Sequence, residues 1–180
     1  MTKPKLRIGL IGTGFMGKAH VFGFASAPRV FDLPYDLELH TVADVTPESA
    51  ARAAAAFGFA HATTRWQDII ENPEIDVVDI TAPNALHKEM ALAAIRAGKH
   101  VYCEKPLAHT LEAGERLVTA AEEAGVPLLV GHMRRHSPIM DAAIRVVRAG
   151  TLGRLVAIMG SAVYCKPAAD GYFNPPNDWR

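Results

Sequence analysis

The chain has 180 residues, 49% hydrophobic and 21% charged, which is enough to bury a full core in one domain with room for the start of a second. Its 19 basic residues balance 19 acidic ones, and neither sign gathers into a run. That excludes a basic patch for nucleic acid or a membrane surface and leaves a small molecule as the expected partner.

No apolar stretch approaches a membrane span, and the opening MTKPKLRIGL runs into a strand without a cleavable signal, so the cytoplasm is the expected location. Cys103 and Cys165 lack CxxC spacing and the density of a disulfide framework. Both are expected as reduced thiols, and neither has a base nearby in sequence that would make it a nucleophile.

Leu6 to Ile11 is a short apolar run ending at glycines, and Phe15 onward has helical character, so the chain opens strand, tight turn, helix. Leu37 to Ala43 predicts a second strand. Pro47 to Phe57 is alanine-rich and helical, with Gly58 where a helix should end. Asp76 to Thr81 predicts a third strand. Asn84 is placed to cap a helix with an apolar stripe of Leu86, Met90 and Ala94 that stops at Gly98.

His100 to Cys103 predicts a fourth strand. Thr110 caps the next helix, with Glu112 in its first turn, Leu117, Val118 and Ala121 on its buried face, and Gly125 at its end. Leu128 to Val130 predicts the fifth strand, and Ser137 with Pro138 starts a helix that ends near Gly150. Strands alternating with helices of this length imply right-handed crossovers and an α/β fold, a doubly wound parallel sheet of the Rossmann type. Leu155 to Tyr164 reads as a longer strand, followed by a Pro-, Gly- and Asn-rich stretch to Arg180. A domain boundary is therefore expected near Thr151, with 1–150 as the doubly wound domain and 151–180 as the start of a second.

Gly12, Gly14 and Gly17 form a G-x-G-x-x-G set between the first strand and its helix. Gly12 permits the tight turn, Gly14 admits a pyrophosphate close to the backbone, and Gly17 lets helix and strand approach. The helix N-terminus at Phe15 and Met16 then offers N–H groups and a positive dipole end to phosphate. Asp44, at the end of the second strand, is placed to accept hydrogen bonds from adenosine ribose hydroxyls, a little farther along than usual, with Pro28 to Tyr35 absorbing the excess. Its charge opposes a 2′-phosphate and no Arg follows directly, so NAD is preferred over NADP; Arg52 is the nearest residue that weakens the preference. The competing reading makes the glycines packing devices and Asp44 a helix cap.

Three segments, GLIGTGFMGKAH, NPEIDVVDITAPNALHKEMALAAIRAGKHVYCEKPLA and VGHMRRHSP, together resemble the Gfo/Idh/MocA family of glucose-fructose oxidoreductases, inositol dehydrogenases and MocA-like proteins. The resemblance implies that Lys105, in the Glu104-Lys105-Pro106 segment, reaches the nicotinamide ribose and the substrate hydroxyl, where a cation stabilises a developing alkoxide. Pro106, if cis, fixes the direction of the lysine. Pro83, Asn84 and His87 match a P-N-x-x-H segment on the cofactor side of the sheet, although Asn84 also reads as a helix cap and His87 as a first-turn histidine. Arg134 or Arg135 is a candidate partner for a cofactor or substrate anion, and equally a solvated surface cation. His132 and His136 have no partner that marks them as a base or ligand, and no metal site is expected.

The resemblance implies a second, α+β domain, of which 151–180 are expected to be the start, whose D-x-x-x-H histidine is the general acid/base, and the sequence is expected to stop before that segment. The resemblance implies hydride transfer between nicotinamide and a sugar, inositol or related polyol, near-inactivity of this chain alone, and a homo-oligomer formed through the second domain. The other reading is a non-catalytic NAD-binding module.

Overall fold

Alternation along the first two strands sends successive side chains to opposite faces of a sheet, and that alternation builds two hydrophobic layers. In β1 (Lys5–Ile11) and β2 (Asp36–Ala43), Leu10 and Val42 enter one cluster with Val21, Ala53 and Phe59, while Ile11 and Ala43 enter the other. The first cluster lies under α1 (Phe15–Val30) and α2 (Pro47–Phe57). The second is larger and joins β4 (Val77–Ile80) to α3 (Trp66–Glu71), α4 (His87–Arg96) and α5 (Leu111–Ala124). With β3 (His61–Thr63), β5 (His100–Cys103) and β6 (Leu128–Val130), the strands pair throughout in parallel in the order β3-β2-β1-β4-β5-β6. This is a doubly wound sheet covered on both faces, whose order reverses between β1 and β4.

The computed structural model describes residues 3–160, and the chain divides into two compact units, Met1–Gly131 and His132–Arg180. The sheet and its helices α1–α5 make up the first. The second contains a short 3-10 turn, Met133–His136, and α6 (Pro138–Arg148), which ends near Gly150 as the sequence requires.

Local chemistry explains most boundaries. Thr46 and Ser49 form a reciprocal capping box at α2, and Thr110 accepts from the Ala113 N–H, 3.2 Å away, at α5. Gly58, Gly98 and Gly125 each follow a helix end with positive φ, as expected.

Several elements depart from the sequence reading. β3 and α3 were not anticipated, because β3 has only three residues on an exposed edge and α3 only six, too few to show a period. α1 runs through Pro28 to Val30, so the stretch expected to be irregular is helical in part. A proline so near the end loses one intrahelical bond, and the Phe31 N–H still closes the last turn on Ala27, 2.9 Å away. Asn84 does not cap α4: it opens a 3-10 turn, Asn84–Leu86, and α4 starts after Leu86 with no side-chain cap. Val118 of α5 is exposed, whereas Leu117 and Ala121 are buried, because only one stripe of α5 meets the sheet. Residues 155–160 form no strand, having no partner strand among the described residues; the rest of that expected strand, 161–164, lies outside them.

Candidate active site at the sheet edge

The hydrogen-bond ladder continues one residue past β1, β2, β4, β5 and β6, and Gly12, Asp44 and Glu104, on which it ends in three of these, are residues that the sequence singles out. The Gly12 N–H bonds Ala43 O at 2.9 Å, Asp44 N–H bonds Thr63 O at 3.2 Å, and Thr81 N–H bonds Ile11 O at 2.9 Å. Glu104 N–H bonds Ile80 O at 2.9 Å, and Gly131 N–H bonds Cys103 O at 2.8 Å. These residues are thus anchored by the sheet itself at the carboxyl ends of its strands, next to the β1–β4 reversal where ligands of such sheets bind.

At the β1–α1 turn the three glycines do different things. Gly12 has φ +96°, and a Cβ there would stand 3.0 Å from the backbone of Thr81 and Ala82. A Cβ on Gly17 would lie 2.4 Å from Gly12 O. Gly14 would meet nothing within 4 Å; its surface is open, and it begins α1 with no side-chain cap among the described residues. The first intrahelical bond belongs to Lys18 N–H, on Gly14 O, so the Phe15, Met16 and Gly17 N–H groups precede the helical ladder and suit an anion. Phe15 is exposed and Met16 half-buried, while Gly17 is buried.

Asp44 is half-buried at the end of β2. Its Oδ1 accepts the Val45 N–H at 2.7 Å and its Oδ2 accepts the Thr13 hydroxyl, which ties the carboxylate to the glycine turn. Thr81 donates its hydroxyl to Gly12 O at 2.8 Å and closes the same turn from β4. Open backbone at Gly14, an uncapped helix start and a carboxylate on the neighbouring strand fit a dinucleotide.

The other half of the crevice follows β4 and β5. The Lys105–Pro106 peptide is cis. Lys105 is exposed, with its N–H on Glu104 Oε2 at 3.0 Å and its ammonium 3.9 Å from the same oxygen. Pro83 and Asn84 stand at the start of the turn after β4. His87 is fully buried, with Nδ1 2.8 Å from Pro106 O and Nε2 2.8 Å from Ala82 O. Its ring therefore sits between the loop after β4 and the loop after β5, within hydrogen-bond reach of a carbonyl on each. Arg134, with His132, Arg135 and His136, belongs to the second unit.

Behind these loops lies a polar cluster that sequence reasoning missed. Asp79, wholly buried on β4, meets His20 Nδ1 through both oxygens at 2.9 and 3.0 Å, and His20 Nε2 lies 3.3 Å from Glu104 Oε1. Tyr102 stacks on the His20 ring, centroids 4.6 Å apart. Burial works against the His20 cation, but hydrogen bonds and charge from Asp79 and Glu104 outweigh it and raise the pKa above 6.5. Burial holds the Asp79 carboxyl above the usual range. The signal was present: a carboxylate inside the apolar run VVDI and a histidine three residues past Gly17, on the same helix face.

Cys103 is fully buried, and its thiol is pushed up to about 12 by burial and by the charges of Asp79 and Glu104. It is an unreactive thiol; Cys165 lies outside the described residues. Among the described residues no group of three or more His, Cys, Asp or Glu side chains is arranged to hold a metal, and no helix is long and apolar enough to cross a membrane.

A family model described as an oxidoreductase family with an NAD-binding Rossmann fold matches residues 6–132. A levoglucosan dehydrogenase of Pseudarthrobacter phenanthrenivorans is 40% identical over 176 residues, covering 97% of this chain and 44% of the relative. Inositol 2-dehydrogenase 2 of Saccharopolyspora erythraea is 37% identical over 154 residues, covering 85% of this chain and 44% of the relative. The solved structure of a levoglucosan dehydrogenase with NADH and levoglucosan superposes with a TM-score of 0.80 at 42% identity, over 83% of this chain and 41% of that one. The chain thus spans less than half the length of the relatives it matches.

Proposed function

From the premise that the chain belongs to this oxidoreductase family with an NAD-binding Rossmann fold, we propose that it is the cofactor-holding part of an NAD-dependent dehydrogenase acting on a sugar, inositol or related polyol. The observation that carries the reading is the convergence of an open glycine turn, the Asp44 carboxylate and Lys105 at the carboxyl ends of adjacent parallel strands. The substrate class rests on the resemblance and on relatives named for levoglucosan and inositol.

When bound, the nicotinamide supplies a hydride acceptor or donor at its C4. The chain's own groups do the rest of the assigned work. N–H groups of Phe15, Met16 and Gly17, with the exposed backbone of Gly14, receive the pyrophosphate. Asp44, steadied by Val45 N–H and the Thr13 hydroxyl, accepts from a ribose diol and opposes a 2′-phosphate, which favours NAD over NADP. Lys105 places its ammonium against the hydroxyl that loses a proton, and a positioned cation there lowers the barrier by stabilising the alkoxide. Pro83 and Asn84 line the wall above β4, braced by His87, and Arg134 is assigned to a ligand anion. General acid/base catalysis, worth on the order of 10²- to 10⁴-fold, is assigned to the second-domain histidine that the resemblance implies. Residues 1–150 are assigned to the cofactor domain and 151–180 to the start of the next, with association through that second domain. The proposed location is the cytoplasm, where free thiols stay reduced.

Fluorescence titration with NADH and NADPH, on this chain and on Asp44→Ala, tests the reading. Tighter binding of NADH, and loss of that preference in the variant, is the expected result. Equal binding of the two by the unaltered chain refutes the role of Asp44, and binding of neither refutes the cofactor site.

A further inference from the structure

The glycine turn, the Asp44 carboxylate and the Lys105 loop leave the most deeply buried polar cluster of the sheet without a task. It consists of His20 from α1, Asp79 from β4 and Glu104 from the end of β5, with Tyr102 stacked on the imidazole. Two carboxylates and a histidine out of water are costly unless each is paired. Here each is paired, and no buried side-chain nitrogen or oxygen among the described residues lacks a partner.

The two carboxylates of the cluster are bound differently. Asp79 holds His20 Nδ1 with both oxygens at 2.9 and 3.0 Å and is wholly buried. Glu104 takes Nε2 with one oxygen at the longer distance of 3.3 Å, and its other oxygen receives the Lys105 N–H at 3.0 Å. Glu104 therefore stands between the buried histidine and the lysine of the crevice. Its space is also fixed from the far side, since a Cβ on Gly131 would lie 2.5 Å from Glu104 Oε1.

We propose that His20 is a positioning residue: its imidazolium, clamped between Asp79 and Glu104, fixes the Glu104 carboxylate so that it holds the Lys105 backbone and sets where the Lys105 ammonium stands. The consequence for the cofactor rests on the reading of Lys105 given above. The clamp itself does not.

The chemistry makes the device depend on one proton. An imidazolium has two N–H donors and serves both carboxylates; a neutral ring has one. Asp79, with two contacts and wholly buried, keeps that one, and Glu104 is released. The groups that face His20 are Asp79 from β4 and Tyr102 and Glu104 from β5, with the Cys103 thiol beside the same two carboxylates. Both carboxylates favour the charged ring against the opposing effect of burial. Loss of the proton above the ordinary histidine range therefore loosens Lys105 without touching a ligand.

The test is a pH titration of the full chain by NMR, following the His20 ring and the Lys105 amide in one sample. The Lys105 amide is expected to titrate with the His20 midpoint, above 6.5, and to lose that transition in His20→Gln. Gly131→Ala removes no polar group but displaces Glu104, and is expected to shift the Lys105 amide as well. It keeps the test decisive if His20→Gln does not fold.

NADH titration adds the functional arm. His20→Gln is expected to weaken binding about tenfold in the unaltered background and not at all in Lys105→Ala, the non-additivity of groups acting through one another. A Lys105 amide indifferent to the His20 proton and to Gly131→Ala overturns the proposal, as does additivity of the two substitutions. If Lys105→Ala leaves NADH affinity unchanged while the amide still follows His20, the clamp stands and the cofactor role of Lys105 is what fails.

Discussion

Gly14 and Gly17 sit three residues apart in one turn, yet a Cβ at one would meet open space and at the other the backbone; the proposed function gives the first to binding and leaves the second to packing, and alanine at each should separate the two. At Gly17 the new Cβ would lie 2.4 Å from Gly12 O and 3.1 Å from Thr81 Oγ1, where ordinary contact begins at 3.4 Å. The obstacle is backbone that the sheet holds through Gly12 N–H to Ala43 O, so α1 must move. Overpacking of this kind costs about 1–3 kcal/mol. Strain on the Thr81 hydroxyl bond adds about 1 kcal/mol, and the better helix propensity of alanine returns about 1 kcal/mol. The net loss of about 1–3 kcal/mol lowers Tm by roughly 3–10 °C for a chain of this size. At Gly14 the Cβ meets nothing within 4 Å and φ is −67°, so Tm should stay within about 2 °C. The methyl group would instead stand where a phosphate approaches, and NADH affinity should fall about tenfold or more. Thermal melts and NADH titrations of both variants give the answer. A Gly14→Ala chain that binds NADH normally, or a Gly17→Ala chain with unaltered Tm, refutes this division of roles.

Two further outcomes follow from the buried cluster. The folded-state pKa of His20 is raised, so its stabilising contribution is complete below 6.5 and is lost as pH rises through the raised value. Asp79, also raised, adds a loss in the same direction that starts above 3.8. Tm should accordingly decline on the alkaline side of 6.5, and His20→Gln should flatten that decline; a wild-type profile flat across this range would contradict the assignment. Cys103, its thiol pushed up to about 12, should resist a disulfide reagent at mildly alkaline pH in a Cys165→Ser chain and react once denaturant is added. Rapid labelling of the native chain would show that the thiol is not enclosed as described.

The sequence exposed what depends on neighbours in the chain. Gly58, Gly98 and Gly125 marked helix ends, Thr110 marked a cap, and the spacing of Gly12, Gly14 and Gly17 marked the tight turn between β1 and α1, because each acts over a few residues. What depends on contacts across the sheet was hidden. Gly9 gave no hint that a Cβ there would stand 2.3 Å from Ile69 of α3. Asn84 looked like a cap until a 3-10 turn intervened. The partner of Asp79 lies 59 residues away at His20, whose other ring nitrogen meets Glu104, and only the fold brings the three together.

The crevice also divides by the kind of group it offers. Its β1–β2 side presents backbone N–H groups and one carboxylate, which suit phosphate and ribose. Its β4–β5 side presents Lys105, braced from beneath by Glu104 and from the side by His87. A ligand that ends at its second phosphate should engage only the first side. ADP and NADH should therefore lose affinity by the same factor in Gly14→Ala and in Asp44→Ala, whereas Lys105→Ala should weaken NADH and leave ADP unchanged. The comparison needs only binding, so it does not depend on turnover. Equal loss of both ligands in Lys105→Ala would place that lysine on the phosphates and move the reacting end of the site elsewhere.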